Sequence, residues 1–168
     1  MKILGMGGDG MLGHHLIRSW GERHEVWATL HRGPTDYPLH SRFRPDRCVF
    51  HTDVRIIQDV TDALAKVQPE AVVNAIGLVK QQATANEAIP SLEINALFPH
   101  RLSQLCLVGG ARLVHMSTDC VFTGRKGHYR ETDIPDAEDL YGRTKRLGEV
   151  SADHAITLRT SIIGLELT

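Results

Sequence analysis

A chain of 168 residues is long enough for one domain with a sizeable core and too short for two full-sized ones, which predicts a single globular unit. Hydrophobic residues make up 42% and charged residues 23%, with 19 Lys and Arg against 20 Asp and Glu, so the charge balance points to no nucleic-acid partner. Apolar stretches such as Ala71–Ile76 break within a few residues, which excludes a membrane span, and Met1 to Gly5 runs straight into a strand with no room for a signal peptide, so a cytoplasmic location is expected.

In chain order, Lys2–Met6 reads as a short buried strand and Met11–Trp20 as a helix, with Leu12, Leu16 and Trp20 at helical spacing. Strands Glu25–Leu30 and Cys48–His51, helix Arg55–Val67, strand Ala71–Ala75, helix Ala85–Val108 and strand Arg112–Ser117 follow. A helix of about Leu140–Ala152 then leads to a last strand, Ala155–Arg159. This alternation predicts an α/β fold, a Rossmann-type doubly wound parallel sheet of about six strands with helices on both faces. Gly33–Arg47, with three prolines, and Cys120–Asp139, with Gly124, Gly127 and Pro135, read as surface loops. Cys48, Cys106 and Cys120 are odd in number and widely spaced, which suits free thiols better than disulfides or a zinc site. The ten histidines show no ligand spacing, so no metal is expected.

Between the first strand and first helix, Gly7, Gly10 and Gly13 stand in GxxGxxG spacing. A side chain at the first would block the tight turn, one at the second would keep the backbone off a pyrophosphate, and one at the third would wedge helix from strand. The helix that opens at Met11 and Leu12 then offers free N–H groups and its positive dipole end to phosphates. This predicts a dinucleotide site. Arg32 lies nineteen residues beyond Gly13, where an acid would ordinarily bind the ribose 2′-hydroxyl of NAD. Its guanidinium can grip a 2′-phosphate, which favours NADP over NAD, the alternative being a solvated loop arginine. Asp53 after the third strand and Asn74-Ala75-Ile76-Gly77 at the end of the fourth lie at carboxyl strand ends, where such sheets bind ligands. Asp53 would hydrogen-bond the adenine, Ala75 and Gly77 would line the ribose, and Asn74 would belong to the same cofactor site, or these residues merely cap and turn the chain.

Tyr141 and Lys145 stand at i and i+4, on one helix face. The ammonium would stabilise tyrosinate and lower the phenol's pKa towards working pH, as a general acid/base requires. Taken alone the pair is weak, because many helices carry it. The fifth strand ends in Ser117-Thr118-Asp119, so Thr118 would present its hydroxyl at the carboxyl edge of the sheet to polarise a carbonyl. Asp119 would bind substrate or hold the following loop.

With the glycine turn, Asn74-Ala75, Ser117-Thr118-Asp119-Cys120-Val121-Phe122-Thr123-Gly124, Tyr141 to Lys145, Gly148-Glu149 and Leu158-Arg159-Thr160 in this order, nearly the whole chain resembles the extended short-chain dehydrogenases/reductases, in their dTDP-4-dehydrorhamnose reductase-like branch. The resemblance implies a catalytic triad of Thr118, Tyr141 and Lys145, Asp119 near the substrate, and Lys145 on the nicotinamide ribose. It implies reduction of a 4-keto sugar nucleotide at C4 with NAD(P)H, in polysaccharide or cell-surface sugar synthesis. It leaves room for a homo-oligomer. Two departures stand out: Cys120 replaces a frequent aromatic residue, and the C-terminal substrate-binding domain of the family is absent, which suggests a truncated chain with poor activity. A sugar-nucleotide epimerase or dehydratase keeps the same triad but recycles its cofactor. A non-catalytic NADP-binding regulatory subunit would not need the acid/base pair.

Overall fold

A parallel sheet is covered on both faces, so its central strands are expected to be apolar throughout rather than alternating. In the computed structural model, which describes residues 1–37, 43–79 and 86–162, the first strand behaves so: Ile3 to Met6 are all buried. The strands are β1 (Lys2–Met6), β2 (Glu25–Thr29), β3 (Cys48–Val49), β4 (Ala71–Asn74), β5 (Arg112–Thr118) and β6 (Ala155–Thr160), in the spatial order β3-β2-β1-β4-β5-β6. Every pairing between them is parallel. Ile3 pairs with Val26 on one side and Ala71 on the other, so β1 and β4 flank the point where the winding direction reverses, at whose carboxyl ends sheets of this kind receive ligands.

Helices α1 (Met11–Trp20), α2 (Ile57–Val67), α3 (Ala88–Ser91), α4 (Phe98–Val108) and α5 (Leu140–Leu147) connect the strands. Alternate residues of a strand face opposite sides, and two clusters result. Leu4, Met6 and Val72 pack with Val60 and Val67 of α2 and Phe98 and Leu102 of α4, while Ala28 and Leu30 pack against Ile17 of α1. The irregular stretches contain short 3₁₀ turns at Pro34–Asp36, Pro45–Arg47 and Asp119–Val121. No helix among the described residues is long and apolar enough to cross a membrane.

Element bounds differ from expectation in instructive places. The single helix expected over Ala85–Val108 is α3, a π-helical segment Leu92–Leu97 and α4; Ala85 lies outside the described residues. Pro99 has no N–H to give the carbonyl of Asn95, and the wider turn carries the chain past that missing bond. The helix expected to reach Ala152 stops at Leu147, with Gly148 at its C-cap, where a Cβ would overlap the carbonyl oxygen of Asn95. β3 is only Cys48–Val49, shorter than Cys48–His51, and His51 takes a left-handed φ of 58° that ends pairing.

Candidate active site

The glycine turn is shaped by two of its glycines and left open by the third. Gly7 has φ +80°, a backbone region side chains rarely enter, and a Cβ on Gly13 would overlap the carbonyl oxygen of Gly7. Gly10 has φ −80° and meets nothing nearer than the Gly7 oxygen at 3.5 Å. The fold itself would accept a side chain at Gly10. Gly10 thus leaves the backbone open beside the start of α1, a helix with no side-chain cap at its N-terminus. Met11 and Leu12 are half-buried in its first turn.

At the end of β4, Asn74 is fully buried. Its Oδ1 accepts the Ile76 N–H at 3.1 Å and its Nδ2 lies 3.1 Å from Nδ1 of buried His115. Burial first, and then the Lys145 charge, pushes His115 down to about 3, so the ring is neutral. Asn74 therefore shapes the loop of Ala75 and Gly77 by its side chain. A Cβ on Gly77 would stand 3.5 Å from Nζ of Lys145 and 3.3 Å from Oδ1 of Asn95, which brings the β4 loop against the helix that carries Tyr141 and Lys145.

Thr118 closes β5 and is buried; its Oγ1 accepts the Cys120 N–H at 3.1 Å and donates to Oδ1 of Asp119 at 3.3 Å. Asp119 is exposed and its Oδ2 accepts from Ser161 at 2.8 Å. Asp139 caps α5 by accepting the Gly142 N–H at 2.8 Å, so the helix has begun by Tyr141 and Tyr141 and Lys145 share a face. Gly142 lets α5 touch the turn after Thr118, since a Cβ there would overlap the carbonyl oxygen of Cys120. Lys145 is 4% exposed, and its Nζ donates to the Met116 carbonyl at 2.7 Å. Burial lowers its pKa to about 8, with Glu149 opposing.

The other expected residues fall differently. Arg32 is exposed at the loop after β2. Asp53 lies in the turn before α2, its carboxylate gripped by Arg55 at 2.6 Å, which holds it below the usual carboxylate range.

Three features escaped the sequence reading. Asn95, 1% exposed, binds both the N–H and the carbonyl of Leu78 at 2.9 and 3.1 Å, and reaches Thr144 of α5 at 3.4 Å. Glu149 takes two bonds of 2.7 Å from Arg159 and one of 3.0 Å from Ser117, tying α5's exit to β5 and β6. Phe122 and Tyr129 stack at 4.3 Å, with the Arg159 guanidinium 5.1 Å over Phe122. These line a pocket of about 400 Å³ with Asp119, Cys120 and Arg130, beside Thr118. Glu149 and Arg159 sit inside recognised motifs, but nothing in their spacing shows that they pair.

Residues 1–163 match the RmlD substrate binding domain family. The chain belongs to this family. It is 31% identical over 166 residues to a dTDP-4-dehydrorhamnose reductase of Burkholderia thailandensis, covering 96% of this chain and 50% of that protein. It is 26% identical over 151 residues to methionine adenosyltransferase 2 subunit beta of Danio rerio, covering 88% and 42%. The chain thus spans about half the length of the curated relatives it matches. Among solved structures, a hypothetical dTDP-4-dehydrorhamnose reductase from Sulfolobus tokodaii superposes with a TM-score of 0.78 at 29% identity, covering 95% of this chain and 55% of that one. Members of the same fold carry either dinucleotide: the Bacillus anthracis dTDP-4-dehydrorhamnose reductase is in complex with NADP (TM-score 0.76, 22% identity, 98% and 56% covered). Bordetella bronchiseptica WbmG is in complex with NAD and UDP (TM-score 0.77, 20% identity, 94% and 52% covered).

Proposed function

We propose that this RmlD-family chain is the dinucleotide-binding and acid–base half of an NAD(P)H-dependent reductase acting on a 4-keto sugar nucleotide. The observation that carries the reading is Lys145. An ammonium buried at 4% exposure, one helical turn from Tyr141 and beside the Thr118 turn, is a costly arrangement that general acid/base chemistry explains.

In this reading Gly7, Gly10 and Gly13, with Met11 and Leu12, hold the pyrophosphate at the N-terminus of α1. Ala75 and Gly77 line the ribose side, kept in place by Asn74, and Asp53 meets the adenine through its edge while Arg55 fixes it. Lys145 binds the nicotinamide ribose, and its ammonium faces the phenolate left when Tyr141 gives up its proton. When bound, the reduced nicotinamide supplies a hydride. Tyr141 gives its proton to the oxygen at C4 of the sugar, and the Thr118 hydroxyl polarises that carbonyl. Asp119 and the pocket of Phe122, Tyr129 and Arg130 receive the sugar nucleotide. The remaining half of the relatives' length would complete sugar binding, so turnover by residues 1–168 alone is expected to be slight. At the adenosine end Arg32 offers a guanidinium to a 2′-phosphate, so this reading admits NADP as well as NAD. Free thiols at Cys48, Cys106 and Cys120 suit a reducing cytoplasm, and polysaccharide synthesis is the family-level setting.

A second reading, a cofactor-binding regulatory subunit, is favoured by the similarity to methionine adenosyltransferase 2 subunit beta. The retained Tyr141 and Lys145 speak for catalysis. The deciding experiment mixes the longest native form of the protein with NAD(P)H and a dTDP-4-keto-6-deoxysugar. Stoichiometric consumption of reduced cofactor, slowed about a hundredfold or more in Tyr141→Phe, is expected of a reductase. Product without net consumption marks an epimerase, and binding without reaction marks a regulatory subunit.

A further inference from the structure

Asp9, the residue before Gly10 in the glycine turn, reaches across to the loop that leaves β2. Its Oδ2 accepts hydrogen bonds from the Tyr37 phenol at 2.8 Å and from the His31 backbone N–H at 3.3 Å, and the Tyr37 oxygen in turn accepts the Arg32 N–H at 3.1 Å. Tyr37 is itself fixed, its ring edge-on to Phe43 at 5.4 Å and tilted beside Phe50 at 6.5 Å. Burial, with the Asp9 carboxylate helping, pushes the phenol up to about 12, so it stays a donor to Asp9 at any ordinary pH.

The carboxyl end of β2 next to the glycine turn is where a sheet of this winding receives the adenosine ribose of a dinucleotide, and where a side-chain carboxylate accepts the 2′-hydroxyl. Here the strand end offers His31 and Arg32 and no acid. We infer that Asp9 supplies the missing carboxylate from the opposite wall, and that it makes this site select NAD(H) over NADP(H). The inference rests on the dinucleotide reading above.

Two features decide between Asp9 and Arg32. Oδ2 takes both bonds, which orients the carboxylate and leaves Oδ1, without a hydrogen bond among the described residues, to accept a ribose hydroxyl. A 2′-phosphate has only acceptors to offer it at full ionisation, and carries a charge of about −1.5 to −2 at pH 7, so beside a fixed carboxylate it meets like charge. The opposing Arg32 side chain is exposed and long, and its attraction is screened by salt and diluted by rotamer freedom. The half-buried, hydrogen-bonded charge outweighs the solvated one.

The test is to measure dissociation constants of NADH and NADPH by fluorescence titration for the wild-type chain, Asp9→Ala, Asp9→Asn and Tyr37→Phe, with thermal midpoints to establish that each is folded. Wild type should hold NADH about tenfold or more tighter than NADPH. Asp9→Ala and Asp9→Asn should reduce that ratio about tenfold or invert it, chiefly by improving NADPH. Tyr37→Phe, which frees Asp9 but keeps the ring, should reduce it less. Wild type binding NADPH as tightly as NADH, or an unchanged ratio in folded Asp9 variants, overturns the role of Asp9. Failure of wild type to bind either dinucleotide overturns the cofactor reading itself, and the inference with it.

Discussion

Lys145, in its proposed role, sets function against stability. Its pKa falls from 10.5 unfolded to about 8 folded, chiefly by burial. At about 1.4 kcal/mol per unit, keeping it charged costs on the order of 3 kcal/mol. The sign follows from proton counts. Between pH 8 and 10.5 the unfolded chain binds more protons than the folded one, so this group's penalty is full below pH 8 and fades as pH rises through the window. Lys145→Met should therefore be more stable than wild type at pH 7 by about 1–3 kcal/mol, part of the gain being lost because the Met116 carbonyl gives up its donor. In urea denaturation the advantage should shrink as pH approaches 10.5; a less stable variant with no pH trend would mean the lysine is held by something other than function. That Thr118 would close β5 and that Tyr141 and Lys145 would share a face of the next helix was legible from strand alternation and from their i, i+4 spacing. Asn95 was not. An asparagine on an apolar helix looks like a surface residue until the fold brings Leu78 and Thr144, distant in the chain, against it.

At the scale of elements, the site depends on close approaches that only glycine permits. Gly148 lets α5 end against the Asn95 carbonyl, and Gly142 lets it begin against the Cys120 carbonyl. In both cases the obstructing atom is backbone, which cannot rotate away. Gly148→Ala should accordingly cost about 2–4 kcal/mol, seen as a lowered thermal midpoint, and should weaken dinucleotide binding, because Lys145 and Asn95 move with the helix. A midpoint within a degree or two of wild type would show that the interface relaxes instead. Helix and strand identities were readable from periodicity, yet the π-helical segment before Phe98 was not. An apolar run containing Pro90 and Pro99 looks continuous to a periodicity argument, and the missing Asn95–Pro99 bond acts only through geometry.

For the whole molecule, the alternation of strands and helices carried the architecture, since few topologies satisfy right-handed crossovers in an alternating chain. The order β3-β2-β1-β4-β5-β6 puts the glycine turn, the Ala75–Gly77 loop and the Thr118 turn along one carboxyl edge, with α5 closing it. The Asp9–Tyr37 bridge and the Glu149–Arg159 pair stayed hidden in the sequence, because each joins residues from loops or strand ends whose meeting depends on that sheet order. Gly10 isolates the proposed dinucleotide site on this edge, being a glycine the fold does not need. The direct measurement is titration of wild type and Gly10→Asp with NADH and NADPH, alongside their thermal midpoints. Wild type is expected to bind, and Gly10→Asp to lose binding at an unchanged midpoint. Wild type that binds neither dinucleotide, or a variant that binds as well as wild type, would contradict the proposed site.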